Sequence, residues 1–440
     1  MSKLISISLS PNVEKDDVLL AFKLIFQPWR WKKGKAIEEL EKEFKEYLDV
    51  KHAFSFNSGR SSLMAILNSL GLEKDSEVLL QAFTCNAAVN PIIWTGLKPV
   101  FVDVNEKTFN MDAEDLRKKI TLRRDSGQAP RVVMVQHTFG LSADMDEILE
   151  ICQKNNLILI EDCAHALGAK YKSKKVGLPA DLSAEARRTE AETSAKAGTF
   201  GKAAFFSFSR DKVISSVYGG VAVTNDGDLA EKIKKYQEKS GFPCYDWILQ
   251  QLLHPILMNW LVLPIYSIFG KYLLILFQWF QVLSKAVHWK EKRAMKPYYF
   301  PKRLPNALAI LALNQFKKLE KFNRHRREIA NFYSRELLNT KYRIPDTKYL
   351  DSHIFLRFSI KHPKAHEIIK NAWRKNLLIG DWYTTPIAPH DTKLDKMQYI
   401  SGSCPTAERL AKETLNLPTH INISKEDAQR IVEFLKNYGN

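Results

Sequence analysis

Cysteine is scarce and unpatterned in this chain. Its 440 residues hold five, Cys85, Cys152, Cys163, Cys244 and Cys404. That is an odd number with no Cys-x-x-Cys pair, so neither a zinc knuckle nor a disulfide framework is supported, and no metal site is expected. A reducing cytosol fits this usage best. The opening residues, MSKLISISLSPNVEKDD, lack an apolar core long enough for a signal peptide. Zinc-finger spacing and RNP-like aromatic motifs are missing too, so no nucleic-acid partner is expected despite a net charge of +17. The basic balance fits a cytoplasmic leaflet or an anionic small substrate such as a sugar diphosphate. No internal repeat is apparent.

What is present reads as a large folded protein. A chain of 440 residues exceeds one compact core and suggests a large domain plus a smaller one. Hydrophobic residues at 45% and charged residues at 26% argue against disorder. From about residue 50 to 240, short apolar runs alternate with amphipathic stretches. VVMVQH (132–137) and LILIED (157–162) read as buried parallel strands. DMDEILEICQKNN between them, SSLMAILNSL after Gly59 and DLAEKIKKYQ after Gly227 carry apolar residues at helical spacing. This rhythm predicts an α/β sandwich with a mostly parallel sheet. An N-terminal segment and large domain are expected over 1–241. A connecting helix and a small C-terminal α/β domain are expected over 301–440, with Ser424 capping the last helix. Residues 183–197, SAEARRTEAETSAKA, break the pattern as a mobile surface insertion or a regular exposed helix.

Residues 242–300 stand apart as a hydrophobic insertion. Between Asp246 and Lys285 the only formal charge is Lys271, and Trp247, Trp260, Tyr266, Phe269, Tyr272, Phe277, Trp279 and Phe280 lie within. A basic stretch follows at Lys285, Lys290, Lys292, Arg293 and Lys296. Residues 247–284 suit two helices of about 18 residues broken near Pro264, each roughly 27 Å long. That is marginal against a hydrocarbon core of about 30 Å. One expectation is a shallow or re-entrant hairpin, with residues 247–296 holding the protein peripherally on an anionic, cytoplasmic membrane face. The other is a helical hairpin buried at a dimer or domain interface.

Three pieces of sequence carry chemistry. NSGRSSL (57–63) is a Ser-Gly turn opening a helix, whose free N–H groups suit a phosphate, although a plain capped helix start reads the same way. In LIEDCAHALG (159–168), Glu161 and Asp162 stand where a buried strand ends, the edge at which α/β sheets collect ligands. A carboxylate there needs a cationic partner such as a protonated pyridine nitrogen, unless it is a solvated loop acid or a helix cap. In FFSFSRDKVISSVYGGVAVTND (205–226), Lys212 lies between an apolar strand and a Gly-Gly pair that opens another. A lone lysine is ordinarily a solvated charge, but one held between strands is a Schiff-base candidate, because desolvation frees its amine.

Together these pieces supply a phosphate cradle, an acid for a ring nitrogen and a lysine for an aldehyde, the equipment for pyridoxal 5'-phosphate (PLP). Their order and spacing resemble the DegT/StrS family of PLP-dependent sugar aminotransferases, of fold type I. GKAIEELEKEFKEYLDVKHAFSFNSG (34–59), GLKPVFVDVNEKTFNMD (96–112), HTFGLSADMDEI (137–148) and YISGSCPTAERLAKETLNLPTHINIS (399–424) look like further family segments, so the resemblance covers nearly the whole chain. It implies a large α/β/α domain with a mostly parallel sheet and a small C-terminal α/β domain. It also implies that Lys212 holds the cofactor, that Asp162 pairs with the pyridine nitrogen and that His165 lies beside the ring. Ser207 and the loop of Ser58, Gly59, Arg60 and Ser61 would take the phosphate. Thr84 and Asn90 match the family's second loop.

Two departures stand out. Cys85 occupies the position where the family stacks an aromatic on the ring. The family's Asn-Tyr-Arg element, which reaches the neighbouring subunit's cofactor, is here Pro301, Lys302 and Arg303. The resemblance implies a homodimer with Arg303 and Lys302 as cross-subunit or substrate contacts. The implied reaction transfers an amino group from an amino acid, Glu or Gln, to a ketosugar linked to a nucleotide or a lipid, in amino-sugar or cell-surface polysaccharide biosynthesis. A sugar dehydratase on the same fold, in which His replaces the lysine, is disfavoured by Lys212. A non-catalytic membrane-associated sensor or scaffold is disfavoured by the joint presence of Lys212, Asp162 and Ser207.

Overall fold

Seven apolar strands build the central sheet of the computed structural model, which describes residues 3–172, 194–346 and 352–438. In spatial order they are His52–Phe56, Gly220–Thr224, Ala203–Ser207, Ile158–Asp162, Val132–Gln136, Glu77–Gln81 and Lys98–Val102. Gly220–Thr224 runs antiparallel to both neighbours, and every other adjacent pair is parallel. Glu77–Gln81, Val132–Gln136 and Gly220–Thr224 are buried along their whole length. Burial on both faces explains why these strands read as continuous apolar runs and not as alternating ones. The expected α/β/α fold with a mostly parallel sheet is what forms.

Register decides where the chemistry falls. Asp162 pairs with Gln136 on one side and Phe205 on the other, which sets its carboxylate at the carboxyl edge of the sheet. Gly220 is required by packing: a Cβ there would lie 2.5 Å from the backbone nitrogen of Gly59.

The small domain packs the antiparallel pair Phe358–Lys361 and Thr414–Leu417 under helices Ala365–Arg374 and Lys425–Tyr438. Ser424 Oγ accepts the Asp427 N–H at 3.1 Å, the expected cap. The N-terminal segment joins this domain. Ile5–Ser6 pairs in parallel with Leu377–Leu378, and Lys3 ion-pairs with Asp427 at 2.5 Å.

Of the expected insertion at 183–197, residues 183–193 lie outside the described residues, and Ser194–Lys196 forms a strand antiparallel to Lys170–Lys172. The hydrophobic insertion forms two helical arms, Tyr245–Val262 and Tyr266–Trp279, bent by 107° across Leu263–Ile265. Among the described residues no single helix is long and apolar enough to cross a membrane. The first arm is anchored: Trp247, Ile248, Leu252 and Ile256 are buried in the core shared with helices Lys15–Ile25 and Asn306–Phe316.

Candidate active site

The site forms where the strand ends Asp162 and Ser207 meet the N-terminus of helix Gly59–Ser69. Ser58 caps that helix, its Oγ accepting the Ser61 N–H at 3.1 Å, while Ser61 Oγ donates to Asn57 Oδ1 at 2.7 Å. A Cβ at Gly59 would stand 3.0 Å from Ser207 Cβ and 3.3 Å from Ser207 Oγ. Glycine thus lets the first helical turn, whose N–H groups and dipole favour an anion, approach the serine side chain closely.

Adjacent acids on one strand have separate fates. Glu161 is fully buried and accepts the N–H groups of Gly198 (2.8 Å), Phe200 (2.7 Å) and Gly201 (2.7 Å), with His137 Nε2 at 3.0 Å. It anchors the chain after residue 197. His137, Glu161 and Cys163 lie close enough to chelate an ion, but these bonds already engage both carboxylate oxygens. Asp162 takes only the Ala164 N–H, at 3.0 Å, among the described residues. Burial pushes its carboxyl upward, while that bond, Lys212 and His137 pull it down.

Lys212 lies in the loop after Ala203–Ser207. Asn12 Nδ2 donates to its carbonyl, Arg326 Nη2 donates to the Val213 carbonyl at 2.8 Å, and Arg210 Nη1 donates to the Ser284 carbonyl at 2.7 Å. The loop is clamped by the N-terminal segment, the long helix Leu319–Leu337 and the insertion. Burial holds the Lys212 amine below the ordinary lysine range, against the pull of Asp211, Cys85 and Asp162. Its Nζ lies 4.7 Å from the centre of the Trp382 ring.

His165 is sandwiched between Phe139 (6.1 Å) and Trp382 (5.3 Å). Its Nδ1 accepts the Phe139 N–H at 3.4 Å, and burial keeps the ring neutral. Cys85 is half-buried, and its Sγ accepts the Ala87 N–H at 3.5 Å. Burial pushes its thiol up, and Arg60 and Lys212 draw it back.

Other candidates turn elsewhere. Arg60 leaves the cradle for Glu291, with Nε and Oε2 2.5 Å apart, and Asn90 Nδ2 donates to the Glu291 carbonyl at 3.0 Å. Asn57 N–H donates to the Lys302 carbonyl at 3.0 Å, beside a bridge between Phe56 and Arg303. The Arg303 guanidinium packs over Phe242 of its own chain at 4.8 Å.

Two residues escaped the sequence reading. Arg357 is 2% exposed and stacks 3.3 Å over Trp382, with Asp211 Oδ2 3.8 Å from its Nη2. Neither Nη1 nor Nη2 finds a hydrogen-bond partner among the described residues. The one signal was an arginine inside the apolar run Ile354-Phe355-Leu356-Arg357-Phe358. Trp382 gave no signal. A cleft of about 1280 Å³ lies elsewhere, between the N-terminal segment, the insertion and the small domain, and contains none of these groups.

These groups fit PLP: helix N–H groups and a serine hydroxyl for the phosphate at Gly59 and Ser207, a buried carboxylate for the ring nitrogen and a partly desolvated amine for the aldehyde. Comparison with known proteins agrees. The sequence profile described as the DegT/DnrJ/EryC1/StrS aminotransferase family matches residues 13–244 and 281–436. The chain is 25% identical over 439 residues to GDP-perosamine synthase of Caulobacter vibrioides, covering 99% of each chain. It is 25% identical to the spore coat polysaccharide biosynthesis protein SpsC of Bacillus subtilis, covering 97% of this chain and 95% of the other. Helicobacter pylori PseC, an aminotransferase involved in the biosynthesis of pseudoaminic acid, superposes with a TM-score of 0.71 at 19% identity, covering 100% and 99%.

Proposed function

The chain belongs to the DegT/DnrJ/EryC1/StrS aminotransferase family and is a PLP-dependent aminotransferase, and we propose that it moves an amino group from glutamate or glutamine to a nucleotide-activated ketosugar. The observation that carries this reading is the placement of Lys212 and Asp162 at one sheet edge beside the close approach of Gly59 to Ser207. The relatives' names, GDP-perosamine synthase and spore coat polysaccharide biosynthesis protein, supply the substrate class.

When bound, the cofactor supplies a conjugated ring that accepts the electron pair left by a departing α-proton. Asp162, held in a buried pocket, keeps a proton on the ring nitrogen by offering a charge that burial alone would discourage. Lys212 Nζ would hold the cofactor's aldehyde, and as a free amine it would move the proton at the donor α-carbon, a task suited to an amine whose pKa burial lowers. Arg357, whose Nη1 and Nη2 make no hydrogen bond and only a long 3.8 Å ion contact to Asp211 among the described residues, offers its guanidinium fork to the donor's carboxylate, and its stacking on Trp382 fixes the plane of that fork. His165, neutral between Phe139 and Trp382, contributes a dry wall.

The same reading includes a homodimer in which Lys302 and Arg303 complete the partner's site. Residues 247–280 contribute nothing to the reacting centre, so the chemistry itself needs no membrane. The test is keto-acid release and amino-sugar formation by the purified protein with Glu or Gln and a panel of GDP-, UDP- and dTDP-linked ketosugars. Keto acid accompanied by an amino sugar is expected. No keto acid with any pair overturns the reading.

A further inference from the structure

The second arm of the insertion is apolar and uncovered. Ile268, Phe269, Tyr272, Ile275, Trp279 and Phe280 are all at least half exposed, with Phe269 at 67% and Trp279 at 74%, and so is Trp260 near the end of the first arm. Exposed apolar surface on this scale marks an interaction site. It is continuous with an element distant in sequence. Phe22 of helix Lys15–Ile25 touches Trp260 at 5.4 Å and Phe26 at 5.2 Å, and Phe26 is 64% exposed. Leu19, Trp260 and Ile268 also line the rim of the large cleft, so its apolar wall opens on the same side.

Three observations select the occupant. Residues 247–290 contain no Asp or Glu, and the exposed cations Lys271, Lys285, Arg293 and Lys296 lie within or just beyond the arms. A face without acids, fringed by cations and rich in Trp, Tyr and Phe, matches the interface of an anionic bilayer. The arm Tyr266–Trp279 is about 21 Å long at ~1.5 Å per residue, too short for a hydrocarbon core of about 30 Å. The 107° bend keeps the two arms from forming one straight span. Residues 245–280 also fall between the two segments matching the family, so the arms are an addition to the shared catalytic unit.

We propose that the arm 258–280 and the outer face of helix Lys15–Ile25 form a single membrane-embedding face, which seats the enzyme on an anionic leaflet without crossing it. The face is mechanically linked to the site. Ser284 accepts Arg210 two residues before Lys212, and Glu291 holds Arg60 on the first turn of helix Gly59–Ser69. Docking thus fixes the orientation of the active-site mouth relative to the membrane.

The test is flotation of the purified full-length protein with vesicles of phosphatidylcholine alone and of an equal mixture with phosphatidylglycerol, at low and high salt. The protein is expected to rise with the anionic vesicles. The double variant Phe269→Glu, Trp279→Glu is expected to bind at least roughly tenfold more weakly, with unchanged oligomeric mass and keto-acid release. Phe26→Glu is expected to weaken flotation as well, because the two elements act as one face. A parent protein that stays with the soluble fraction, or a double variant that floats like the parent, overturns the proposal. A double variant that splits the parent's oligomer, with no flotation by either, assigns the face to contact between copies. Keto-acid release is read in the same samples, so failure of the aminotransferase reading shows as lost activity with flotation intact.

Discussion

Arg60 and Glu291 form a buried ion pair, Nε to Oε2 2.5 Å, that joins the first turn of the phosphate-cradle helix to the end of the hydrophobic insertion. The two groups touch without the alignment of a hydrogen bond. The Glu291 carbonyl also takes Asn90, so a residue expected in the cofactor loop and one expected to bind phosphate both serve to fasten this segment.

Removing one partner leaves a charge in a dry interior. Arg60→Ala is expected to destabilise the fold by about 3–5 kcal/mol, and the double variant Arg60→Met, Glu291→Leu to recover most of it. Burial already holds the Glu291 carboxyl above its ordinary range. In Arg60→Ala it rises further, so the folded chain binds a proton that the unfolded chain has lost. The deficit therefore grows as pH rises above the ordinary carboxylate range and shrinks as pH falls. Denaturant midpoints across pH check both statements.

Lys212→Ala is expected to lower keto-acid release at saturating PLP by at least about a thousandfold and to abolish the cofactor's visible absorption band in the parent form. Activity within tenfold of the parent would remove Lys212 from the reaction.

Asp162→Asn tests the ring-nitrogen partner. The expected result is a fall in kcat of roughly a hundredfold or more with cofactor content nearly preserved, because the helix N-terminus at Gly59 and the Ser207 hydroxyl are untouched. A loss of bound cofactor that accounts for the whole fall would make Asp162 a structural residue.

Arg357→Ala is expected to raise KM for the amino donor by about tenfold to a hundredfold, the worth of a charge-assisted hydrogen bond. The ketosugar KM and the cofactor spectrum should stay near the parent's. A change confined to kcat, or a lost cofactor, would place Arg357 outside donor binding.

Only a neutral amine attacks an aldehyde carbon, so PLP uptake by the cofactor-free enzyme should speed up with pH and level off above the pKa of Lys212. Burial lowers that pKa, so the plateau should arrive below the ordinary lysine range of about 10.4. A rate still climbing through that range would mean that Lys212 is solvated. Light scattering on the same preparation is expected to show a dimer; a fully active monomer would dismiss Lys302 and Arg303 as contacts to a partner's site.

Much of this protein was legible in its residues. Runs such as VVMVQH and LILIED can only be buried strands, and amphipathic stretches between them force crossover helices and a parallel sheet. The order of Gly59, Asp162 and Lys212 along that rhythm indicated a cofactor site, because each loop of such a sheet emerges at a known edge. Tertiary structure decided what depends on side-chain direction and on contacts distant in sequence. Arg60 belongs to Glu291, 231 positions away, and its turn away from the Gly59–Ser207 contact cannot be read from a helix start. Glu161 and Asp162 are neighbours of the same chemistry, and strand alternation alone sends one to a nest of backbone N–H groups and the other to the site. Arg357 and Trp382 meet Lys212 only when the small domain closes over the sheet edge. The insertion showed its apolar composition in sequence. Packing determined that its first arm is core and its second is surface, because burial depends on which face finds a partner.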